Sequence, residues 1–301
     1  MRSLMDGRLP ICDDVEPLCV FVLLPGIGPM HLVNVFDRWF IVLFALSCMA
    51  LPSAGGADPI DLPERERLHL FLLVGQSNMA GRGKTAEEDA VANPRVLMLT
   101  KQNQWKPAVD PIHFDKKVAG VGLGRTFGLL VAESSPEISI GLVPCAIGGS
   151  PISAWQPGGY HRQTNSHPYD DAIKRAKIAM ESGTLKGILW HQGESDSKEQ
   201  LAEVYEQKLH ELIARFRAEL KSPEVPFIAG QMGQFSERPW SEEKRKVDLA
   251  HQSLPEKVEN TAFVRSDELG HKGDKVHFDS AAYRELGRRY AEAYRTLSGE
   301  K

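Results

Sequence analysis

Four short stretches of the 301-residue chain hold the groups that acyl transfer through a hydroxyl requires. They are Gly75-Gln76-Ser77-Asn78-Met79, Gly148-Gly149, His191-Gln192-Gly193-Glu194 and Asp274-Lys275-Val276-His277. Ser77 is the candidate nucleophile, because a hydroxyl needs only an adjacent base to attack an ester carbonyl. His277 is the candidate base, since an imidazole takes up and returns a proton near neutral pH. Asp274, three residues earlier, is placed to fold back onto the other ring nitrogen and hold its tautomer. The oxyanion needs donors already aimed at it. The backbone N–H of Ser77, that of Gly149, where no side chain blocks close approach, and the side-chain amide of Gln192 are the candidates. Asn78 and Arg82, just after the serine, either hydrogen-bond substrate or brace the serine loop.

These stretches are chemically useful only if the fold gathers them, and the intervening sequence predicts that it does. The apolar runs Leu68 to Val74, Arg95 to Thr100, Ile138 to Ile147, Gly187 to Trp190, Pro226 to Met232 and Thr261 to Arg265 read as buried strands. Helical periodicity appears over 124–133, from Pro168 (Ile173, Ala176, Met180) to a stop at Gly183, over 197–220, over 241–254, and from Asp279 or Ser280 through Tyr283, Leu286, Tyr290 and Tyr294. Residues 105–121 read as a long irregular connection, and 150–167 as a surface loop. Alternating strands and helices imply an α/β fold, a parallel sheet covered on both faces, in one domain over 65–298. Such sheets collect functional groups at the carboxyl ends of their strands, where all four stretches fall.

Gly-Gln-Ser-Asn-Met, the Gly-Gly junction, Trp-His-Gln-Gly-Glu and Asp-x-x-His, in that order across about residues 68–295, resemble the sialate O-acetylesterase group and carbohydrate esterase family 6 of the SGNH hydrolase superfamily. The resemblance implies a flavodoxin-like three-layer α/β/α sandwich and metal-free hydrolysis of acetyl esters on sugars. It assigns Ser77 as nucleophile, His277 as base, Asp274 as acid, and Gly149 and Gln192 as oxyanion donors. Gly75-Gln76-Ser77 stands where the superfamily has Gly-Asp-Ser, and Gln192 where it has asparagine. Glu194 competes with Asp274 for the triad acid, as some members of the branch are described with that glutamate; the local spacing to His277 favours Asp274. Trp155, with Tyr160 and Trp240, is a candidate to stack on the sugar ring, and Asn78 to bind substrate. His191, Glu194, Asp274 and His277 lack a His-Glu-x-x-His pair or a thiolate, so neither a metal nor another cofactor is implied. The alternatives are a carbohydrate-binding protein without turnover on the same fold, and a lipase-like esterase, for which no long apolar lid segment is evident.

Composition is that of an ordinary globular protein, 42% hydrophobic and 25% charged. A net charge of −4 gives no reason to expect nucleic acid as partner, which leaves carbohydrate as the expected ligand and no stable membrane partner; oligomeric state is not legible. Residues 1–57 form an amino-terminal extension. Arg38, the thirteen apolar residues Trp39 to Leu51, and the small residues after Pro52 have the pattern of a secretory signal over 30–57, with Met30 as its start, too short to span a bilayer. The protein is thus expected to be secreted or periplasmic, with a membrane-anchored form as the alternative if the segment stays uncleaved. Cys12, Cys19 and Cys48 lie in this extension, leaving Cys145 as a buried packing residue. Amino-terminal sequencing of the exported protein is expected to start between about Gly55 and Asp58; a start well before Ala54 would overturn the signal.

Overall fold

The computed structural model describes residues 60–299, so the expected signal segment and its start at Met30 lie outside the described residues. Strands and helices alternate: β1 Leu68–Gly75, α1 Ser77–Ala80, β2 Val96–Leu99, β3 Trp105–Pro107, α2 Leu123–Ser134, β4 Ser139–Pro144, α3 Pro168–Ala179, β5 Thr184–His191, α4 Glu199–Glu203, α5 Tyr205–Glu219, β6 Phe227–Gly230, α6 Glu242–Gln252, α7 Leu254–Lys257, β7 Thr261–Val264 and α8 Ser280–Ser298. The sheet order is β3-β2-β4-β1-β5-β6-β7. All neighbours pair in parallel except β3, which runs antiparallel to β2.

That edge strand adds one antiparallel neighbour to the expected parallel sheet and replaces the start of the expected irregular 105–121 segment. Trp105-Lys106-Pro107 is too short to show alternation, and proline is tolerated at an edge because no further strand needs its N–H. A second difference lies in the expected 197–220 helix, which is broken at Val204. Val204 is 40% exposed rather than part of the apolar stripe, and Tyr205 takes the buried position instead.

β1 shows why the sheet has two covers. Leu68, Leu70, Leu72 and Val74 face one core with α3, α5 and α6, while Phe71 and Leu73 face the other with α2 and α8. Successive strand side chains point to opposite faces, so a strand buried on both reads as one apolar run. The tyrosines of α8 follow the 3.6-residue period as expected, and Tyr283, Tyr290 and Tyr294 are buried along that helix. The chain builds β2, β3 and β4 on one side of β1 and β5, β6 and β7 on the other. The switch of direction leaves a crevice at the carboxyl end of β1, where Ser77 sits.

Backbone sterics set the exit from β1. Gly75 has φ +125°, and a Cβ there would lie 2.3 Å from the carbonyl oxygen of His191. The next residue uses that same oxygen, as Gln76 N–H donates to it at 2.9 Å. Only glycine permits this approach of the β1 and β5 ends. Gly75→Ala is therefore expected to destabilise the fold by about 2–5 kcal/mol, measured by urea unfolding; an unchanged midpoint would show that the two strand ends separate freely.

Candidate active site

Ser77 opens α1 directly after the glycine exit, and the loop between β7 and α8 returns to meet it. The Ser77 hydroxyl lies 3.0 Å from His277 Nε2, and His277 Nδ1 lies 2.7 Å from Asp274 Oδ2. Asp274 Oδ1 also accepts the backbone N–H groups of Val276 and His277, at 3.0 and 2.8 Å. Partial burial on its own would raise this carboxyl. The bonds from the His277 backbone and ring and from Val276 outweigh it and hold the group at about 2. Asp274 is thus an anion at neutral pH, with one oxygen fixed by its own loop and the other on the imidazole.

The loop after β4 supplies the facing wall. Gly149 has φ +86°, and Gly149 and Ser77 line the same cleft of about 440 Å³. Among the described residues, neither the Ser77 N–H nor the Gly149 N–H donates a hydrogen bond. Four bonds pin the loop around these amides. Gly148 N–H donates to Asp115 Oδ2 at 2.8 Å, and the Ser195 hydroxyl donates to Gly149 O at 2.9 Å. Gln192 Nε2 donates to Ser150 O at 3.1 Å, and Trp155 Nε1 to the Ser150 hydroxyl at 2.9 Å. Asp115 is itself held by Arg82, 2.6 Å away, in an ion pair with both side chains almost wholly buried.

Several residues with an expected role at the substrate are placed away from the open cleft. Gln192 is fully buried, and its Nε2 is engaged by Ser150 O and Asp196 Oδ2, the latter at 2.5 Å, so it holds the Gly148–Ser150 loop from below. Asn78 is also fully buried and unavailable to substrate. Its Nδ2 donates to Glu194 Oε1 at 2.6 Å and to Val276 O at 3.1 Å, and its Oδ1 accepts from the Tyr283 hydroxyl at 2.7 Å. Glu194 forms no hydrogen bond to His277 among the described residues and instead ties the β5 loop to Asn78. Trp155 is buried edge-on against Trp190, with ring centroids 5.3 Å apart, and has no face for a sugar. Trp240 is half-buried, donates to Gly233 O and lies under the Lys244 ammonium, while Tyr160 is exposed against His167.

Asp115, Asp196, Tyr205 and His251 carry no signal in the sequence, and Tyr283 is legible only as part of the buried face of the last helix. Asp115 and Asp196 are acidic residues in polar segments, which read as solvated, and no local pattern marks their burial. Arg82 was legible only as a neighbour of the serine.

Behind the cleft, Gln192 anchors a buried polar chain. The Tyr205 hydroxyl donates to Gln192 Oε1 at 2.7 Å, so the contact of 2.8 Å between Tyr205 and His251 has His251 Nε2–H as donor. Burial lowers His191 and His251 to about 3 each, and raises Asp196 to about 6. His251 is therefore neutral in the folded chain, while an unfolded imidazole charges below its ordinary value of 6.5. The unfolded state takes the proton first, so the stability from His251 is present above that ordinary value and is lost as pH falls toward 3. His251→Gln keeps a partner for Tyr205 without a titrating group. It is expected to flatten the pH dependence of the unfolding free energy between about pH 6 and 4 by about 1.4 kcal/mol per pH unit; a slope equal to wild type would show that His251 charges without unfolding.

The family model for carbohydrate esterase, sialic acid-specific acetylesterase, matches residues 67–296. A probable carbohydrate esterase of Arabidopsis thaliana is 33% identical over 246 residues, which cover 75% of this chain and 89% of that protein. An X-ray structure of an Arabidopsis thaliana protein, 31% identical, superposes with a TM-score of 0.68 over 78% of this chain and 100% of its own. The fold is also that of NanS, at 18% identity with a TM-score of 0.66 over 80% of this chain and 100% of that one. A carbohydrate acetylesterase of Xanthomonas citri, 21% identical, has a TM-score of 0.59 over 78% of this chain and 57% of its own. The chain belongs to the carbohydrate esterase, sialic acid-specific acetylesterase family, and is a carboxylic ester hydrolase on an SGNH-type α/β fold.

Proposed function

We propose that this protein removes O-acetyl groups from carbohydrate, of the acetylated xylan or sialic acid type, through an acetyl-serine intermediate. The observation that carries the reading is the unbroken line from Ser77 through His277 to Asp274, with contacts of 3.0 and 2.7 Å. In the first half-reaction the Ser77 proton passes to His277 Nε2 as Oγ attacks the acetyl carbon. The ionised Asp274 stabilises the imidazolium, and the free N–H groups of Ser77 and Gly149 receive the oxyanion. Collapse breaks the bond to the sugar oxygen, which takes the proton from Nε2 and leaves as a hydroxyl. A water then gives its proton to the same nitrogen and attacks the acetyl-serine; collapse returns the proton to Ser77 and releases acetate.

The cleft chemistry supports a sugar over a fatty acyl chain. Arg238, Lys244 and Lys275 line it together with Glu194, Ser195 and Ser241, groups that match hydroxyls and leave a long apolar chain without cover. The leader-like segment before residue 58 supports export, so that the enzyme meets polymeric or surface-bound sugar outside the cytoplasm.

Ser77→Ala is expected to lower hydrolysis of an acetylated chromogenic ester by about 10⁴-fold or more, and Asp274→Asn by about 10³–10⁴-fold. Glu194→Gln should cost far less; if it alone removes turnover, the acid is misassigned. The brace on Gly148 has its own signature. Asp115→Ala combined with Arg82→Met, which leaves no buried charge unpaired, is expected to lower kcat by about 10²-fold with KM little changed. Equal kcat in the double variant would show that the loop keeps its donor without Asp115.

A further inference from the structure

A second cavity, of about 340 Å³, lies on the other side of the Gly148–Gly149 loop, between the carboxyl ends of β2 and β4 and helix α3. It falls within the usual range of small-ligand pockets, roughly 300–1,000 Å³. The two cavities are lined from neighbouring positions of one loop. Ile147 lines this cavity and Gly149 lines the cleft, two residues apart and so at most about 7.6 Å between Cα atoms. Asp115, which holds Gly148, is also part of its lining.

Its polar groups are unlike those of an anion site. The Arg175 guanidinium is already spent on Leu99 O, Thr100 O, Pro144 O and Asn103 Oδ1, and Asp115 is neutralised by Arg82. What remains mixes signs: Lys101 and Lys174 with Asp171. His113 lines the same space at 5% exposure, with its Nε2 buried and unpartnered. Burial lowers this imidazole to about 4, the pull of Asp115 notwithstanding, so near neutral pH the ring is an uncharged part of the wall. Phe114 adds an aromatic ring, 37% exposed, with the Arg175 guanidinium 4.9 Å from its centroid. A partly open aromatic ring, a neutral imidazole and interspersed donors and acceptors together match a polyhydroxylated ring, which presents apolar C–H faces and hydroxyls that both give and accept.

We propose that this cavity is a subsite for an uncharged sugar residue of the same chain as the acetylated one, so that the preferred substrate is an acetylated oligosaccharide or polysaccharide lying across Gly148–Gly149. The assignment rests on the acetylesterase reading of the Ser77 cleft. It predicts a dependence on chain length that a single-sugar enzyme would lack. With acetylated xylo-oligosaccharides, kcat/KM is expected to exceed that for peracetylated xylose by about tenfold or more, and in Phe114→Ala this ratio should fall to near unity. In a parallel titration of Ser77→Ala protein with unacetylated xylotetraose, amide NMR shifts are expected to move at residues 113–115 and 174. A ratio near unity in wild type, a ratio that survives in Phe114→Ala, or shifts confined to the Ser77 cleft would each overturn the subsite. Turnover of 4-nitrophenyl acetate separates the two readings. If that ester is not hydrolysed, the esterase reading falls, while the xylotetraose titration still decides whether the cavity binds sugar.

Discussion

The contact between Gly75 and the His191 carbonyl is the constraint on which the site depends. It brings the ends of β1 and β5 closer than any side chain would allow, with Gln76 N–H bonded to the same oxygen. Ser77 therefore leaves the sheet at a fixed height beside Gln192, Gly193 and Glu194. Everything that later reaches the serine is positioned against that junction: Glu194 ties to Asn78, and Ser195 to Gly149. A serine on an unconstrained loop would need each partner placed separately, at an entropic cost of about 1–2 kcal/mol for every backbone residue ordered.

Catalysis of acyl transfer needs amide donors that stay free, and free amides are what a folded chain tends to eliminate. Around Gly149, bonds hold the loop while, among the described residues, Gly149 N–H itself has no acceptor. Gly148 N–H goes to Asp115, Gly149 O to Ser195, Ser150 O to Gln192 and the Ser150 hydroxyl to Trp155. The Asp115 and Gln192 side chains are buried, so each must be supported in turn: Asp115 by Arg82, Gln192 by Tyr205 and Asp196. Breaking one partner of such a network leaves a buried polar group unpaired, a larger loss than the net value of the bond.

The depth of the support explains what the sequence reveals. Strands and the four junctions are legible because they are local: an apolar run, a glycine, then a polar side chain. His277 and Asp274 are legible for the same reason, being three residues apart in one loop. Gln192 has the right chemistry for an oxyanion donor, yet its direction is decided by Asp196 and Tyr205, four and thirteen residues on, which turn the amide under the loop. Trp155 lies in a polar stretch but is drawn inward by Trp190 and Ser150. Arg82 and Asp115, 33 residues apart, carry no shared pattern, and a charged pair reads by default as solvated. The antiparallel β3 escapes for want of length. Position along a strand is a local property, whereas rotamer and burial are settled by residues that the linear pattern does not connect.

The two carboxylates near the serine divide one task. Asp274 fixes the ring of His277, and because its other oxygen accepts two N–H groups of its own loop, that orientation needs no help from elsewhere. What the loop cannot fix is its own distance from Ser77, 200 residues earlier in the chain. Asn78 does so, donating both to Val276 O in the histidine loop and to Glu194 at the end of β5, with the Tyr283 hydroxyl holding its oxygen. Glu194 is thereby coupled to the acid–base pair without touching the imidazole, through an asparagine that adjoins the nucleophile. In the proposed triad, loss of Glu194 loosens the tie between the serine loop and the histidine loop, whereas loss of Asp274 frees the ring itself. This difference follows from which end of the Ser77–His277 contact each group restrains.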